Sequence, residues 1–419
     1  MHAIEKILAS RSGRKSVSTG EIVNASVDFA EINDLYLQTV ESFYQMGGVK
    51  VWDNTRLAFV FDHYAPCPTI KTAMNHQQMR RFAKENELTH HFDVNAGVCH
   101  QVMPESGLIL PGSVVIATDS HTTTHGAFGA FGTGCGATDM ACIMLSGELW
   151  LRVPEIIEVR LEGEAGKGVF PKDVALNILG RIKADGAVYK AIDFTGSYVD
   201  SLGVSERMTI CNMAVEMGAK TAYMQPNDKV LEYVDRRAER EYEAVYTDPG
   251  YVYSESYVFD VSRMDIVVSC PHSVDNVKPV SEVEKQSIRL DQGYIGSCTN
   301  GRTEDIAVAA SILKGRHIPP YSRLIVVPAS ANVLKECIQK GYITELIEAG
   351  ATINAPGCAA CLGTHEGILG PGEVCISSTN RNFLGRMGSS DAMIYLASPA
   401  TVAASILNGT ITDPRGYLD

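Results

Sequence analysis

Gly296-Ser297-Cys298-Thr299-Asn300 and Gly357-Cys358-Ala359-Ala360-Cys361-Leu362-Gly363 decide how this chain reads. Each motif follows a short apolar run, 293–297 for the first and 351–355 for the second, that predicts a strand. Ligands of open α/β sheets bind beyond the carboxyl ends of strands, so cysteines far apart in sequence are expected at one sheet edge. Three readings of the trio stand side by side. A closed zinc site needs four ligands, and Cys375 or His365 would have to supply the fourth. A redox dithiol at Cys358 and Cys361 would normally follow a thioredoxin-like strand rather than sit in a Gly- and Pro-rich loop. An iron–sulfur cluster held by three thiolates, where four is usual, leaves one iron open to water or substrate, a Lewis-acid position. The third is preferred because only one C-x-x-C is present. Among the other cysteines, Cys135, Cys142, Cys211 and Cys337 read as small core residues. Cys67, Cys99, Cys270 and Cys375 are lesser ligand candidates.

Outward from the trio, residues 271–419 alternate predicted strands (293–297, 324–328, 351–355, 373–377) with helices at 303–313 and 331–339. Residues 1–160 repeat the style, with strands at 49–52, 57–61 and 113–118 and a helix over 69–86. Apolar runs between helices predict a buried parallel sheet. The middle segment, 161–270, has a helix opening at Pro171 and a charged, tyrosine-rich stretch at 228–253 that reads as helix and solvated face. The glycine-rich stretch 126–136 lacks the strand and closing acid of a dinucleotide fingerprint. It reads as close backbone packing and a turn into a helix over 137–151.

The chain has 419 residues, 45% apolar and 20% charged, enough for two or three domains and too apolar for disorder. Its net charge of −13 argues against nucleic acid or an anionic membrane as main partner. The start of the chain, Met1 to Leu8, reads as an amphipathic helix rather than a signal peptide, and no apolar stretch is long enough for a membrane span. Eleven cysteines, an odd number, fit a reducing cytoplasm better than a disulfide framework.

The chemistry-bearing residues cluster at predicted strand ends. Asp62-His63 and Asp119-Ser120-His121 end two strands, and His100 lies between them in sequence. A carboxylate beside an imidazole fixes its tautomer and raises its basicity, which suits proton delivery. The remaining histidines, apart from His2 and His365, read as packed or solvated. Arg381 and Arg386, in Asn380-Arg381-Asn382-Phe383-Leu384-Gly385-Arg386, follow the last strand, and guanidinium forks match carboxylates.

These motifs together resemble the aconitase superfamily over essentially the whole chain, most of all the large subunits of archaeal-type 3-isopropylmalate dehydratases and homoaconitases. The resemblance implies three α/β domains (1–160, 161–270, 271–419) around a cluster-binding cleft, without the fourth, swivel domain. It implies a 4Fe–4S cluster on Cys298, Cys358 and Cys361. Asp62 with His63 would protonate a departing hydroxyl. Asp119 would pair with His100, and Glu216, from Asn212-Met213-Ala214-Val215-Glu216, with His121. Asn212, Asn300 and Asn380 would lie beside the cluster. Gln38, Ser120, Arg381 and Arg386 would contact substrate.

Two departures from the family pattern stand out. Where isopropylmalate isomerases carry His-Asp-x-Thr-x-Pro, this chain has Asn33-Asp34-Leu35-Tyr36-Leu37-Gln38. The Gly-Ser-Ser-Arg motif of the fourth domain, whose serine acts as base, is absent; Gly388-Ser389-Ser390 is followed by Asp391. The implied partner is a small subunit carrying that motif. The expected function is a hydro-lyase acting on a 2-hydroxy di- or tricarboxylate, 3-isopropylmalate first, with homoaconitase and dimethylmalate or citramalate dehydratase as alternatives. A non-catalytic cluster sensor or zinc-stabilised binding protein is the competing class.

Overall fold

The computed structural model describes residues 1–418. Three α/β layers carry the molecule. The first sheet has five parallel strands in the spatial order His90–Phe92, Leu57–Val60, Phe29–Asn33, Val114–Ala117, Phe131–Gly134. Its central strands are buried on both faces because both faces are covered, as parallel sheets require, and they are apolar apart from Glu31 and Asn33 of Phe29–Asn33. Ala58, Val60 and Val115 face the main core of the molecule. Leu57, Phe59, Val114 and Ile116 face a second core shared with helix Ala3–Arg11. The long helix of this layer, Ile70–Glu85, begins at Thr69, whose side chain accepts the Thr72 N–H and so satisfies an orphan donor.

The second sheet is parallel, in the order Thr221–Tyr223, Ala191–Thr195, Ile156–Glu162, Glu255–Asp260. The third has seven strands. Its parallel part runs Met393–Leu396, Val374–Ser377, Gln292–Ile295, Arg323–Val326, Thr352–Ile353, and an antiparallel hairpin, Val267–Ser269 with Val277–Pro279, completes one edge. The main core runs without a break from one face of the first sheet through the second and third. Among the described residues no helix is long and apolar enough to cross a membrane.

Chain order reverses at Phe29–Asn33 in the first sheet and at Gln292–Ile295 in the third, since later strands flank each on both sides. Ligand sites form at such switch points, beyond the carboxyl ends of the strands. Asp34, Asp62 and Asp119 follow the three central strands of the first sheet. Cys298 and Asn380 follow two central strands of the third.

Several sequence expectations need correction. Residues 49–52 form no strand; Val49 is 82% exposed, and a β-rich run without a face to bury stays a loop. The glycine-rich stretch contains an edge strand, Phe131–Gly134, and its helix stops at Ser146, where Gly147 turns left-handed. Close packing does explain the glycines: a Cβ on Gly126 would lie 2.2 Å from the Ala222 carbonyl oxygen, and one on Gly132 2.4 Å from that of Thr122. Only Asp228–Asp235 of the 228–253 stretch is helical. Cys142 is exposed and Cys135 half-buried, because the helix Ala137–Ser146 buries Met140, Ala141, Ile143 and Met144 instead. Position 160 falls inside strand Ile156–Glu162, and 270 just after Val267–Ser269. The sheets therefore divide the chain a few residues before the expected boundaries.

The first and third layers join at Gly97, where Val98 N–H donates to the Ala329 carbonyl and Ala331 N–H to that of Ala96. Gly97 has φ of +126°, and a Cβ there would sit 2.3 Å from the Ala329 oxygen. Gly97→Ala is expected to lower stability in urea unfolding by about 1–3 kcal/mol or more, from backbone strain plus clash. Gly136→Ala, which meets nothing within 4 Å, should change it little.

Candidate active site

The three cysteines meet. Cys298, Cys358 and Cys361 are buried and pack with Val98 and Ala329 into a small cluster of their own, and none is in a disulfide. Cys298 sits just past strand Gln292–Ile295; Cys358 caps a short 3₁₀ turn, Ala359–Leu362, and Cys361 lies within it. Nitrogen donors point at the sulfurs. Asn212 Nδ2 is 3.2 Å from Cys298 Sγ, Asn380 Nδ2 is 3.7 Å from the same sulfur, and Arg386 Nη2 is 3.8 Å from Cys361 Sγ. A hydrogen bond from Cys358 holds the Cys361 thiol below its usual range despite burial, and Arg386 adds to this. Burial, with Asp119 nearby, pushes Cys298 up to about 12. Within the trio, Cys361 is thus shifted toward the thiolate, whereas Cys298 holds its proton. Cys375, the alternative fourth zinc ligand, is buried within strand Val374–Ser377, where its sulfur contacts the Ile376 carbonyl.

The acid–histidine groups form the opposite wall. His63 Nδ1 donates to Asp62 Oδ1 at 2.6 Å, and its Nε2 lies 3.5 Å from Asp119 Oδ2. Burial alone would lower the His63 imidazole, but the carboxylates of Asp62, Asp119 and Asp34 raise it to about 9. It is therefore an imidazolium at neutral pH. His100 Nε2 is 3.0 Å from Asp119 Oδ1, and the backbone N–H of His121 donates to the same oxygen at 2.7 Å. Burial would raise Asp119, yet the His100 and His121 imidazoles, the latter with Nδ1 3.4 Å from Oδ1, hold it well below the usual carboxylate range.

His121 Nε2 and Arg381 Nε both reach Glu216 Oε1, at 2.9 and 2.7 Å. Arg381 Nη2 also donates to Ser120 Oγ at 3.0 Å. Glu216 is presented by the 3₁₀ turn Ala214–Met217, which continues helix Val204–Met213 carrying Asn212. Arg386 is buried, and its Nε has no protein partner.

Two hydrogen bonds stitch the walls together. Cys358 N–H donates to the Asp62 carbonyl at 2.6 Å, and Thr364 Oγ1 donates to the His63 carbonyl at 2.9 Å. The loop with the acid and the loop with two cysteines are thus one structural unit.

Two expected residues stand apart. Gln38 is exposed on the first turn of helix Leu37–Gln45, without a hydrogen bond among the described residues. Asn300 Nδ2 donates to Asp305 at 2.9 Å rather than to a sulfur, and its buried Oδ1 is unpartnered.

Sequence reading misses three residues. Asp34 accepts the backbone N–H groups of Asp62, His63 and Tyr64 and the Nε2–H of His76. Its signal was positional, one residue past a central strand, but Glu31 inside that strand hid the apolar run. Arg302 is buried and donates to the carbonyls of Cys298 and Thr299, at 2.7 and 2.8 Å. Lys172 is fully buried and donates to the carbonyls of Ser378 and Thr379.

This is the architecture of the aconitase family, to which the chain belongs: the family model, described as aconitate hydratase, matches residues 50–409. Membership implies an iron–sulfur cluster. The 3-isopropylmalate dehydratase large subunit 1 of Methanopyrus kandleri is 49% identical over 99% of both chains. A probable methanogen homoaconitase large subunit of Methanosarcina mazei is 47% identical over 93% of this chain and 99% of its own.

Glu31 is buried with both carboxyl oxygens unpartnered. Burial first, then Asp62, Asp119 and Asp34, raise it well above the carboxylate range. The folded state therefore holds this proton more tightly than the unfolded chain does. Its stabilising effect is complete below the ordinary carboxyl range and is lost as pH rises toward the raised value. Thermal melting of Glu31→Gln should match wild type near about pH 4 and gain on it progressively toward about pH 8.

Proposed function

We propose that this chain is the large subunit of a hydro-lyase that removes and re-adds water on a 2-hydroxy di- or tricarboxylate, isomerising 3-isopropylmalate through 2-isopropylmaleate. The observation that carries it is His63, an imidazole kept protonated by three carboxylates in a wall bonded directly to the cysteine loop. The 49% identical relative named for that reaction supports the substrate. Homoaconitase is the second reading, favoured by the 47% identical relative.

The donor set fits an iron–sulfur cluster: three buried free thiols in one cluster, with amide and guanidinium N–H groups directed at them. Cys298, Cys358 and Cys361 would hold a 4Fe–4S cluster. When bound, it supplies a Lewis acid at an iron without a protein thiolate, for the substrate's hydroxyl and carboxylate. The chain's own residues do the rest. Arg386, with its free buried Nε, and Arg381, aimed by Glu216, bind carboxylates as planar forks. Ser120 sits beside Arg381 on the same rim. His63 gives its Nε2 proton to the leaving hydroxyl while Asp62 holds Nδ1 and stabilises the ring. The His100–Asp119 and His121–Glu216 pairs order the departing water for its return to the other carbon.

No described side chain of these walls is assigned as base for the carbon-bound proton. A serine from a small subunit carrying Gly-Ser-Ser-Arg fills that role, in keeping with the "large subunit" names of the relatives.

Anaerobic reconstitution with iron and sulfide, with and without that small subunit, tests the reading by enoate absorbance across the candidate acids. Activity is expected only with both subunits and highest on 3-isopropylmalate; preference for homocitrate would select the second reading. Cys361→Ser should lose bound iron and sulfide, and one equivalent of zinc in place of iron would sink the cluster assignment. His63→Gln should keep its iron and sulfide while kcat falls by about 10²–10⁴. In wild type, log(kcat/KM) should bend downward as pH rises through about 9, where His63 loses its proton. Asp62→Asn removes the strongest charge raising His63, so its bend should fall at lower pH.

A further inference from the structure

A second group of reactive side chains lies behind the acid wall and shares Asp34 with it. Cys67 Sγ is 3.0 Å from His76 Nδ1, and His76 Nε2 is 2.8 Å from Asp34 Oδ2. His76 and Asp34 are fully buried, while Cys67 reaches the surface. The imidazole is fixed from two sides. Asp34 takes the Nε2–H, which leaves Nδ1 as the acceptor facing sulfur, and the Phe61 ring lies 4.2 Å away, tilted 31°. Cys67 also precedes the N-cap Thr69 of a 16-residue helix, the end that favours negative charge. Nucleophile, base and orienter thus stand in the order in which a base-activated nucleophile is built.

We propose that Cys67, His76 and Asp34 form a thiol-reactive triad, a site of reversible S-thiolation by low-molecular-mass disulfides on the loop that carries His63. Burial pushes the free Cys67 thiol up, so it is no standing thiolate. The proton leaves as the sulfur attacks. Cys67 Sγ bonds to one sulfur of the disulfide, the disulfide's own S–S bond breaks, and the Sγ proton passes to His76 Nδ1. The departing thiolate then recovers a proton, giving one free thiol per mixed disulfide. Cys67 is oxidised and half of the disulfide is reduced.

Cys142 is the internal reference: it is exposed, and the sulfur of Met46, not an imidazole, lies against it at 4.0 Å. Limiting iodoacetamide on the full chain near neutral pH, with peptide mapping, should label Cys67 at least about tenfold faster than Cys142. His76→Gln should cut the Cys67 rate by about tenfold and leave that of Cys142 unchanged. Glutathione disulfide should add to Cys67 and be released by dithiothreitol. Labelling of Cys67 no faster than Cys142 in wild type overturns the proposal without any variant. An unchanged Cys67 rate in His76→Gln with wild-type melting also overturns it.

Discussion

Three cysteine sulfurs buried side by side repel one another as soon as more than one is ionised, and the architecture around them answers that constraint. The answer has two parts. Asn212, Asn380 and Arg386 present N–H groups to the sulfurs themselves. The side chains of Arg302 and Lys172, both buried, are bonded not to carboxylates but to neutral oxygens, chiefly main-chain carbonyls of the two loops that follow strands Gln292–Ile295 and Val374–Ser377, with Gln101 and Thr209 completing Arg302. A buried cation is costly unless its donors are satisfied. Satisfying them with carbonyls leaves the positive charge uncancelled and fixes the loop geometry at once. Burial lowers Lys172 to about 8, with the nearby thiols acting in the other direction. Its charge and the thiols' ionisation therefore support each other.

The opposite wall solves the mirror problem, too many carboxylates. Glu31, Asp34, Asp62 and Asp119 crowd the carboxyl end of one sheet, and they are sorted by what each touches. Asp34 accepts three backbone N–H groups and His76, so it stays ionised below its usual range even though burial works against it. Asp119 is held by His100 and His121. Glu31 has no donor and takes the proton instead. The net negative field that survives falls on His63, and burial then separates that imidazolium from water.

Much of this was legible in the sequence, and the gaps have physical causes. Helices 303–313 and 331–339 lie where periodicity puts them, and Ile70–Glu85 stops within a residue of its expected ends. Local signals sufficed there. The cysteine motifs and the Asp-His pairs were visible because strand ends in α/β sheets are where sites form. The strand Phe29–Asn33 was not, because Glu31 interrupts its apolar run for reasons that exist only once four carboxylates meet. Lys172 and Arg302 carry no motif, since Lys172 bonds backbone carbonyls 206 and 207 residues away and Arg302 joins the carbonyls of Cys298 and Thr299 to the distant side chains of Gln101 and Thr209. Gln38 shows the limit of resemblance: the family spacing implied a substrate contact, and in the fold the residue lies exposed on the first turn of helix Leu37–Gln45.

Asp34 ties these threads together. One carboxylate sets the backbone of the proposed acid through the N–H groups of 62–64, adds to the field that protonates His63, and orients the imidazole behind Cys67. Because Asp62 in turn offers its carbonyl to Cys358, the Asp34 contacts extend by a chain of short hydrogen bonds from the first sheet to the cysteine loop. The acid and the thiols are therefore not positioned independently. A change at either sheet edge that shifts the 62–64 loop moves His63 and Cys358 together. The proposed dehydration, with His63 as proton donor beside the cysteine loop, requires that coupling, since misplacement of a reacting group by about 1 Å can cost about 10²-fold in rate.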